Sequence, residues 1–313
     1  MKIRKAVIPA AGLGTRLLPA TKAQAKEMLP IVDKPALQFV VEEAASSGIE
    51  DILIITNRNK ENIENHFDRS YALEAELAQK QQEALRHEIR KISEMANIYF
   101  IRQKSAMGLG HALSCARSFV GFEPFAVMLP DDIMFGDTPA LSQLIEVYHD
   151  TRYSVLGVER IPPSQTSRYG LVVPQGEFDE RGVCRIDSLV EKPAPADAPS
   201  DLAIIGRYIL TPNIFDILAH TPKGAGGEIQ LTDALHTLCK SDDIYACLLD
   251  SCHYDMGNRL AYLRAVVELG MQHTEVGAAF AEYLAELSLD NGQPLYSAIR
   301  EKLKQRREQK DTP

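Results

Sequence analysis

No stretch of this chain is long and apolar enough to cross a bilayer, and no basic, apolar leader opens it. The expectation is a cytoplasmic protein without membrane association. Positive charge is in short supply: 34 lysines and arginines face 43 aspartates and glutamates, a formal net charge of −9 at pH 7. Bulk nucleic acid and anionic membrane surfaces require a basic face, so this balance argues against both as partners. Cysteine is scarce too. The five present (Cys115, Cys184, Cys239, Cys247, Cys252) form an odd count with no C-x-x-C pair, so they read as reduced thiols rather than a disulfide framework or zinc site. No internal repeat or low-complexity linker divides the 313 residues, a length that suits one large domain or two ordinary ones.

What is present is a rhythm. Residues 5–9, 51–56, 98–101 and 125–129 are short apolar runs that read as buried strands. Between them, 36–47 and 109–120 carry helical stripes, and 71–95 is a long, charged, helix-favouring segment. Strand, helix, strand in this order predicts an α/β fold: a Rossmann-like, mainly parallel sheet flanked by helices. From 154 to 210 the character changes to short β segments (154–161, 170–174, 183–190, 202–210) separated by Pro/Gly-rich turns, including the loop "EKPAPADAPS". Helices resume at 228–240 and 259–269, and 276–310 reads as a helical tail broken near 290–292. Its apolar positions Phe280, Tyr283, Leu284 and Leu287 call for a partner surface.

Directly after the first strand comes "AAGLGTRLLPATKAQAKEMLP". Two glycines and four cations (Arg16, Lys22, Lys26, Lys34) crowd this stretch and the residues just beyond it. Ordering glycine is costly and the cations repel, so a negative ligand such as phosphate is the expected compensation. The stretch lacks the third glycine of a dinucleotide fingerprint and the Gly-Lys-Ser/Thr of a Walker loop. Its glycines would still let backbone N–H groups approach phosphate oxygens, with Arg16 as a planar fork and Lys26 as a point charge. A glycine turn with solvated lysines would read the same.

"LPDD" places Asp131 and Asp132 at the carboxyl end of a strand, where parallel sheets present ligand groups. Neighbouring residues project differently, so one of the two is expected to face a cation such as magnesium, which takes one or two carboxylates plus phosphate oxygens. A helix cap or turn acid is the alternative. "SRYGLV", "VEKP" and "IIGRYIL" follow, with Gly206 in mid-strand, where a ligand or backbone comes close. Glu191 beside Lys192 offers an acceptor for hydroxyls and a cation for phosphate, or a plain surface ion pair. In "GAGGEIQLTDAL", Glu228 is expected in a first helical turn; in "YDMGNR", Asp255 is either a helix N-terminal acid or a second metal carboxylate.

These motifs, in this order and from residue 5 to about 270, resemble the bacterial sugar-1-phosphate nucleotidyltransferases, most closely those that use UTP and glucose 1-phosphate. The resemblance implies a catalytic domain over 1–271 with a small β-rich sugar-binding subregion, while the apolar positions of the C-terminal helical segment, 272–313, point to a contact between subunits of a homodimer or homotetramer. The resemblance also implies a Mg2+-dependent reaction of UTP with glucose 1-phosphate giving UDP-glucose and pyrophosphate. By the same resemblance, Ala11 and Gly12 meet the nucleotide, Gly14, Thr15 and Arg16 cradle its phosphates, and Lys26 neutralises the reacting groups. Gln103 and Gly108 match the pair that reads the base, and Asp131 and Asp255 the metal ligands. Gly170, Glu191 and Gly206 match sugar contacts, and Lys192 the holder of the sugar phosphate. Two positions depart from the pattern: Ala25 stands where proline is usual, and Arg259 where lysine is usual. A thymidylyltransferase making dTDP-glucose shares this logic. A non-catalytic sugar-nucleotide regulator would be expected to lack one of these charges, and none is missing.

Overall fold

Strands buried on both faces need continuous apolar runs, and the first half of the chain supplies them. The computed structural model describes residues 2–288. β1 (Lys5–Pro9) leads through the two-residue strands β2 (Pro30–Ile31) and β3 (Lys34–Pro35) to α1 (Ala36–Ser46), β4 (Asp51–Thr56) and α2 (Glu61–Phe67). The charged segment expected to run as one helix forms two, α3 (Tyr71–Gln79) and α4 (Glu83–Glu94), because Gln81 between them takes a left-handed φ of 56°. Next come β5 (Asn97–Arg102), α5 (Leu109–Ser114), α6 (Arg117–Val120), β6 (Phe125–Met128) and β7 (Asp132–Phe135). Here too one anticipated helix is divided.

The second half continues with α7 (Ala140–Thr151), β8 (Ser154–Arg160), β9 (Gly170–Pro174), β10 (Val183–Glu191) and β11 (Leu202–Leu210). α8 (Ile214–Leu218), α9 (Leu231–Leu238), β12 (Ile244–Leu248), β13 (Cys252–Asp255), α10 (Arg259–Gln272) and α11 (Gly277–Ser288) complete it. α9 begins at Leu231, so Glu228 lies in the loop before it and not in its first turn. There the Glu228 carbonyl accepts from the Gly224 N–H at 2.8 Å.

Nine strands form one mixed sheet, ordered β5-β4-β1-β6-β11-β8-β12-β10-β9. β5, β4, β1 and β6 are mutually parallel, with Lys5 opposite Asp51 and Pro9 opposite Ile55. Beyond β6 the pairing turns antiparallel through β11 and β8, and β9 both closes on β10 and touches β11 at Leu171/Ala203. The two-residue period of a strand sends Ala6 and Ile8 into one core with α1 and α7, and Val7 into the other with α5 and α9. β7 and β13 form a separate ribbon that sets Asp132 opposite Asp255. Part of the tail's apolar stripe is satisfied within the chain: a Cβ on Gly270 of α10 would lie 3.1 Å from the Phe280 ring. The anticipated break near 290 and the helix beyond it lie outside the described residues. Among the described residues, no helix is long and apolar enough to cross a membrane.

Candidate active site

The glycine loop after β1 is held from beneath. Lys60 donates to the Ala10 carbonyl at 2.6 Å, Asn57 to that of Ala11 at 2.5 Å and the Thr21 hydroxyl to that of Gly14 at 2.7 Å. In a trans peptide C=O and N–H point oppositely, so these bonds turn the amides of Ala11, Gly12 and Thr15 away from the three donors. Gly14 has φ 66°, and a Cβ there would press on Lys26 and Thr21 at 3.2–3.3 Å, so no other residue fits without displacement. Lys60 is itself fixed by a bidentate ion pair with Glu27 at 2.8 and 2.9 Å, both side chains buried. Of the four cations, Lys34 does not join the cluster. It pairs with Glu42 at 2.9 Å and lies over the Phe39 ring.

Asp131 leaves β6 toward this loop and Asp132 turns the other way, as expected of adjacent residues. Lys26 Nζ meets Asp131 Oδ2 at 2.5 Å. Burial works against charge at both groups. Asp131 and Glu27 nevertheless hold the Lys26 ammonium above its ordinary value, and Lys26 holds the Asp131 carboxyl below its own. Asp255 arrives on the β13 ribbon, where the Met256 N–H donates to the Asp131 carbonyl at 2.7 Å. A Cβ built on Gly257 would stand 3.0 Å from Asp255 Oδ1, 3.3 Å from Asp131 Oδ2 and 3.9 Å from Arg16 Nη1. Atoms of two carboxylates and a guanidinium thus lie within 4 Å of one point beside Gly257. Burial, then the charges of Asp132 and Asp131, push the Asp255 carboxyl above its usual range, and a cation between the carboxylates would relieve that strain. Among the described residues, no group of three or more His, Cys, Asp or Glu side chains could hold a metal. Two carboxylates are the number a hard cation takes when substrate oxygens complete its shell.

The motifs expected to contact the sugar meet across β9 and β10. Glu191 lies opposite Gly170 in the ladder, and a Cβ on Gly170 would sit 2.8 Å from the Thr232 hydroxyl and 3.2 Å from Glu191 Oε2. Lys192 pairs with Glu191 at 2.8 Å and holds a left-handed φ of 45°. Gly206, with φ 72°, backs onto Asp132, whose Cγ would be 2.9 Å from a Cβ there. Asp132 in turn accepts from His253 at 2.8 Å, and the other ring nitrogen of His253 bonds Glu159 at 2.9 Å. These two bonds overcome burial and raise the imidazole to about 10, so it stands charged between the carboxylates. Arg168, just before β9, pairs with Asp255 and so ties this side of the cleft to the Asp131–Asp255 pair.

Gln103 and Gly108 come together. The Gln103 amide donates to the Gly108 carbonyl at 3.2 Å and bonds His111 at 2.8 Å. Ala11 and Gln103 line a cavity of ≈ 620 Å³ with Leu13, Asn57, Arg58 and Arg102. The last three went unrecognised in the sequence, although the rule that placed Asp131 at a strand's carboxyl end places Asn57 after β4 and Arg102 at the end of β5. Lys60, Glu27, Arg168 and His253 have no such signal: each acts through a partner distant in sequence. Arg259 donates to the Leu18 carbonyl at 3.0 Å and so braces the loop. Ala25 already holds φ −60°, ψ 136°, the backbone a proline would impose.

Residues 5–272 match the family model described as Nucleotidyl transferase. The chain is 52% identical over 286 residues to the UTP–glucose-1-phosphate uridylyltransferase YngB of Bacillus subtilis, covering 91% of this chain and 96% of that protein. A UTP-bound UGPase from Acinetobacter baumannii superposes with a TM-score of 0.85 at 40% identity, over 91% of this chain and 99% of that one. A UDP-glucose pyrophosphorylase complexed with UDP-glucose superposes with a TM-score of 0.80 at 42% identity, over 87% of this chain and 100% of that one. The family match runs from the start of β1 to the end of α10 and so takes in every group that lines the cleft. The chain belongs to the nucleotidyl transferase family of enzymes.

Proposed function

We propose that this chain transfers the uridylyl group of UTP to glucose 1-phosphate, giving UDP-glucose and pyrophosphate. The observation that carries the reading is the point beside Gly257 where Asp131, Asp255 and Arg16 converge, with Lys26 already bound to Asp131. The names of the relatives support the choice of uridylyl group and sugar. Asp131 and Asp255 would hold a magnesium ion, which when bound neutralises phosphate charge.

The chain's own residues do the rest. An oxygen of the sugar phosphate attacks the α-phosphorus in line, forming the new P–O bond as the bond to the β-phosphate oxygen breaks and pyrophosphate leaves with the electron pair. The attacking phosphate is already ionised, so no protein base or nucleophile is needed. Two anions must be brought together, and positioning and charge neutralisation supply the catalysis. Outward amides of the glycine loop hold the nucleotide phosphates, Arg16 and Lys26 stabilise the leaving side, and Lys192 orients the sugar phosphate. Gly170, Glu191 and Gly206 shape the sugar's place, while Ala11, Gln103 and Gly108 shape that of the base.

All five cysteines are free, which supports a reducing, cytoplasmic setting. The exposed Leu260 and Leu263 of α10, beside α11, support self-association through the C-terminal helices. Pyrophosphate release from glucose 1-phosphate, with UTP compared against dTTP and a chelator control, tests the reading. Chelator-sensitive turnover favouring UTP is expected. A preference for dTTP overturns the base assignment, and binding of UDP-glucose without turnover overturns catalysis.

A further inference from the structure

A guanidinium sealed inside a protein needs a reason. Arg207 of β11 is fully buried, at 0% exposure, and its donors are all engaged. Nε and Nη2 grip the Glu43 carboxylate of α1 at 3.0 and 2.7 Å. Nη1 reaches the carbonyls of Leu129 and Gly206 at 3.3 and 3.2 Å, and Nη2 that of Asp132 at 2.7 Å. Leu129 and Asp132 flank Pro130 and Asp131, so one planar fork holds both ends of the turn that presents Asp131. Glu43 also accepts from the Leu141 N–H at the start of α7, at 3.0 Å, which anchors the fork to a second helix. The Asp131 carbonyl in turn accepts from the Met256 N–H beside Asp255, so the grip extends to the second carboxylate.

Stability alone does not account for this arrangement. Replacing a buried ion pair by apolar residues of similar volume is often neutral or stabilising. An apolar pair could not, however, bind the two carbonyls that bracket Asp131. We propose that Arg207 and Glu43 are positioning residues that hold the Asp131 turn in the geometry a divalent cation requires. This inference rests on the assignment of Asp131 and Asp255 to the metal. Partners that orient metal ligands from behind typically change metal affinity or activity by 10–100-fold when altered.

The test counts bound Mn2+ by electron paramagnetic resonance on the full chain with saturating UTP. It compares the unaltered protein with Asp131→Asn, Arg207→Lys, Glu43→Gln and the core truncation Val147→Ala, and UTP binding without metal is followed by calorimetry. Lysine keeps the charge but cannot reach Glu43 and both carbonyls at once. Arg207→Lys is expected to weaken Mn2+ binding about 10–100-fold, with metal-free UTP affinity unchanged and Val147→Ala binding Mn2+ as the unaltered protein does. Mn2+ binding by Arg207→Lys no weaker than by Val147→Ala overturns the inference while leaving the metal assignment intact. If Asp131→Asn binds Mn2+ as tightly as the unaltered protein, the assignment fails and the inference with it. If Arg207→Lys does not fold, Glu43→Gln decides on the same terms: weakened Mn2+ binding supports the clamp, and unchanged binding overturns it.

Discussion

The proposed reaction gives Lys26 and Lys192 parallel electrostatic tasks, yet the molecule holds them differently. Lys26 is 18% exposed, locked to Asp131, and follows a loop whose carbonyls are bonded from below; Lys192 is 44% exposed, at the end of β10, with Glu191 as its ion-pair partner. The difference follows from the two halves of the sheet. Parallel strands β4, β1 and β6 end together, so the loops after them converge and brace one another. The antiparallel half brings its residues from separate strands and leaves their tips nearer to solvent. Lys26 is thus enclosed by its neighbours, and Lys192 stands closer to solvent.

The contrast can be broken first at its foundation. Lys60→Met would leave Glu27 buried without a partner beneath the loop, and a loss of about 3–5 kcal/mol is expected from such a change. Urea unfolding measures it, and adding Glu27→Leu should recover most of it. Lys26→Ala is expected to lower kcat about 10²–10³-fold with little change in KM for glucose 1-phosphate, since it removes one preorganised charge at the reacting centre. Steady-state kinetics that show a KM effect instead would place Lys26 on the binding side.

On the sugar side, Gly206→Ala forces a side chain into a left-handed backbone and against Asp132, and about 1–3 kcal/mol of stability should be lost. Lys192→Gly should divide the two effects. It relieves a strained φ, so stability holds or rises by up to about 1 kcal/mol, while KM for glucose 1-phosphate increases. A fall in stability would mean that the Lys192 ion pair outweighs its backbone cost. Least of all, Ala25→Pro is expected to raise stability by about 0.5 kcal/mol, because Ala25 already has the proline backbone. The shift is read from the denaturant midpoint.

Much of this site is legible in the sequence where its cause is local. The glycine loop, the strand-terminal Asp131, and the Glu191–Lys192 dipeptide each follow from neighbouring residues. The single helix expected over 71–95 fails for a local reason that carries no strong signal: glutamine rarely marks a left-handed stop, yet Gln81 provides one. Glu228 is misplaced for a similar reason, since the glycines before it extend the loop to Gln230. Arg168, His253 and Lys60 stayed hidden because their meaning lies in partners 33 to 121 positions away.

The sequence by itself determined the alternation of strands and helices, the anion-seeking loop and the set of charges available, because periodicity and backbone preference act over a few residues. Only the tertiary structure decided how those charges are matched. Asp255 meets Asp131 because β13 pairs with β7, and Arg207 meets Glu43 across 164 positions because β11 lies beside β6, behind the turn that carries Asp131. Burying a charge is tolerable only where a partner waits, and the order of strands in the sheet, which no local pattern encodes, puts the partners there.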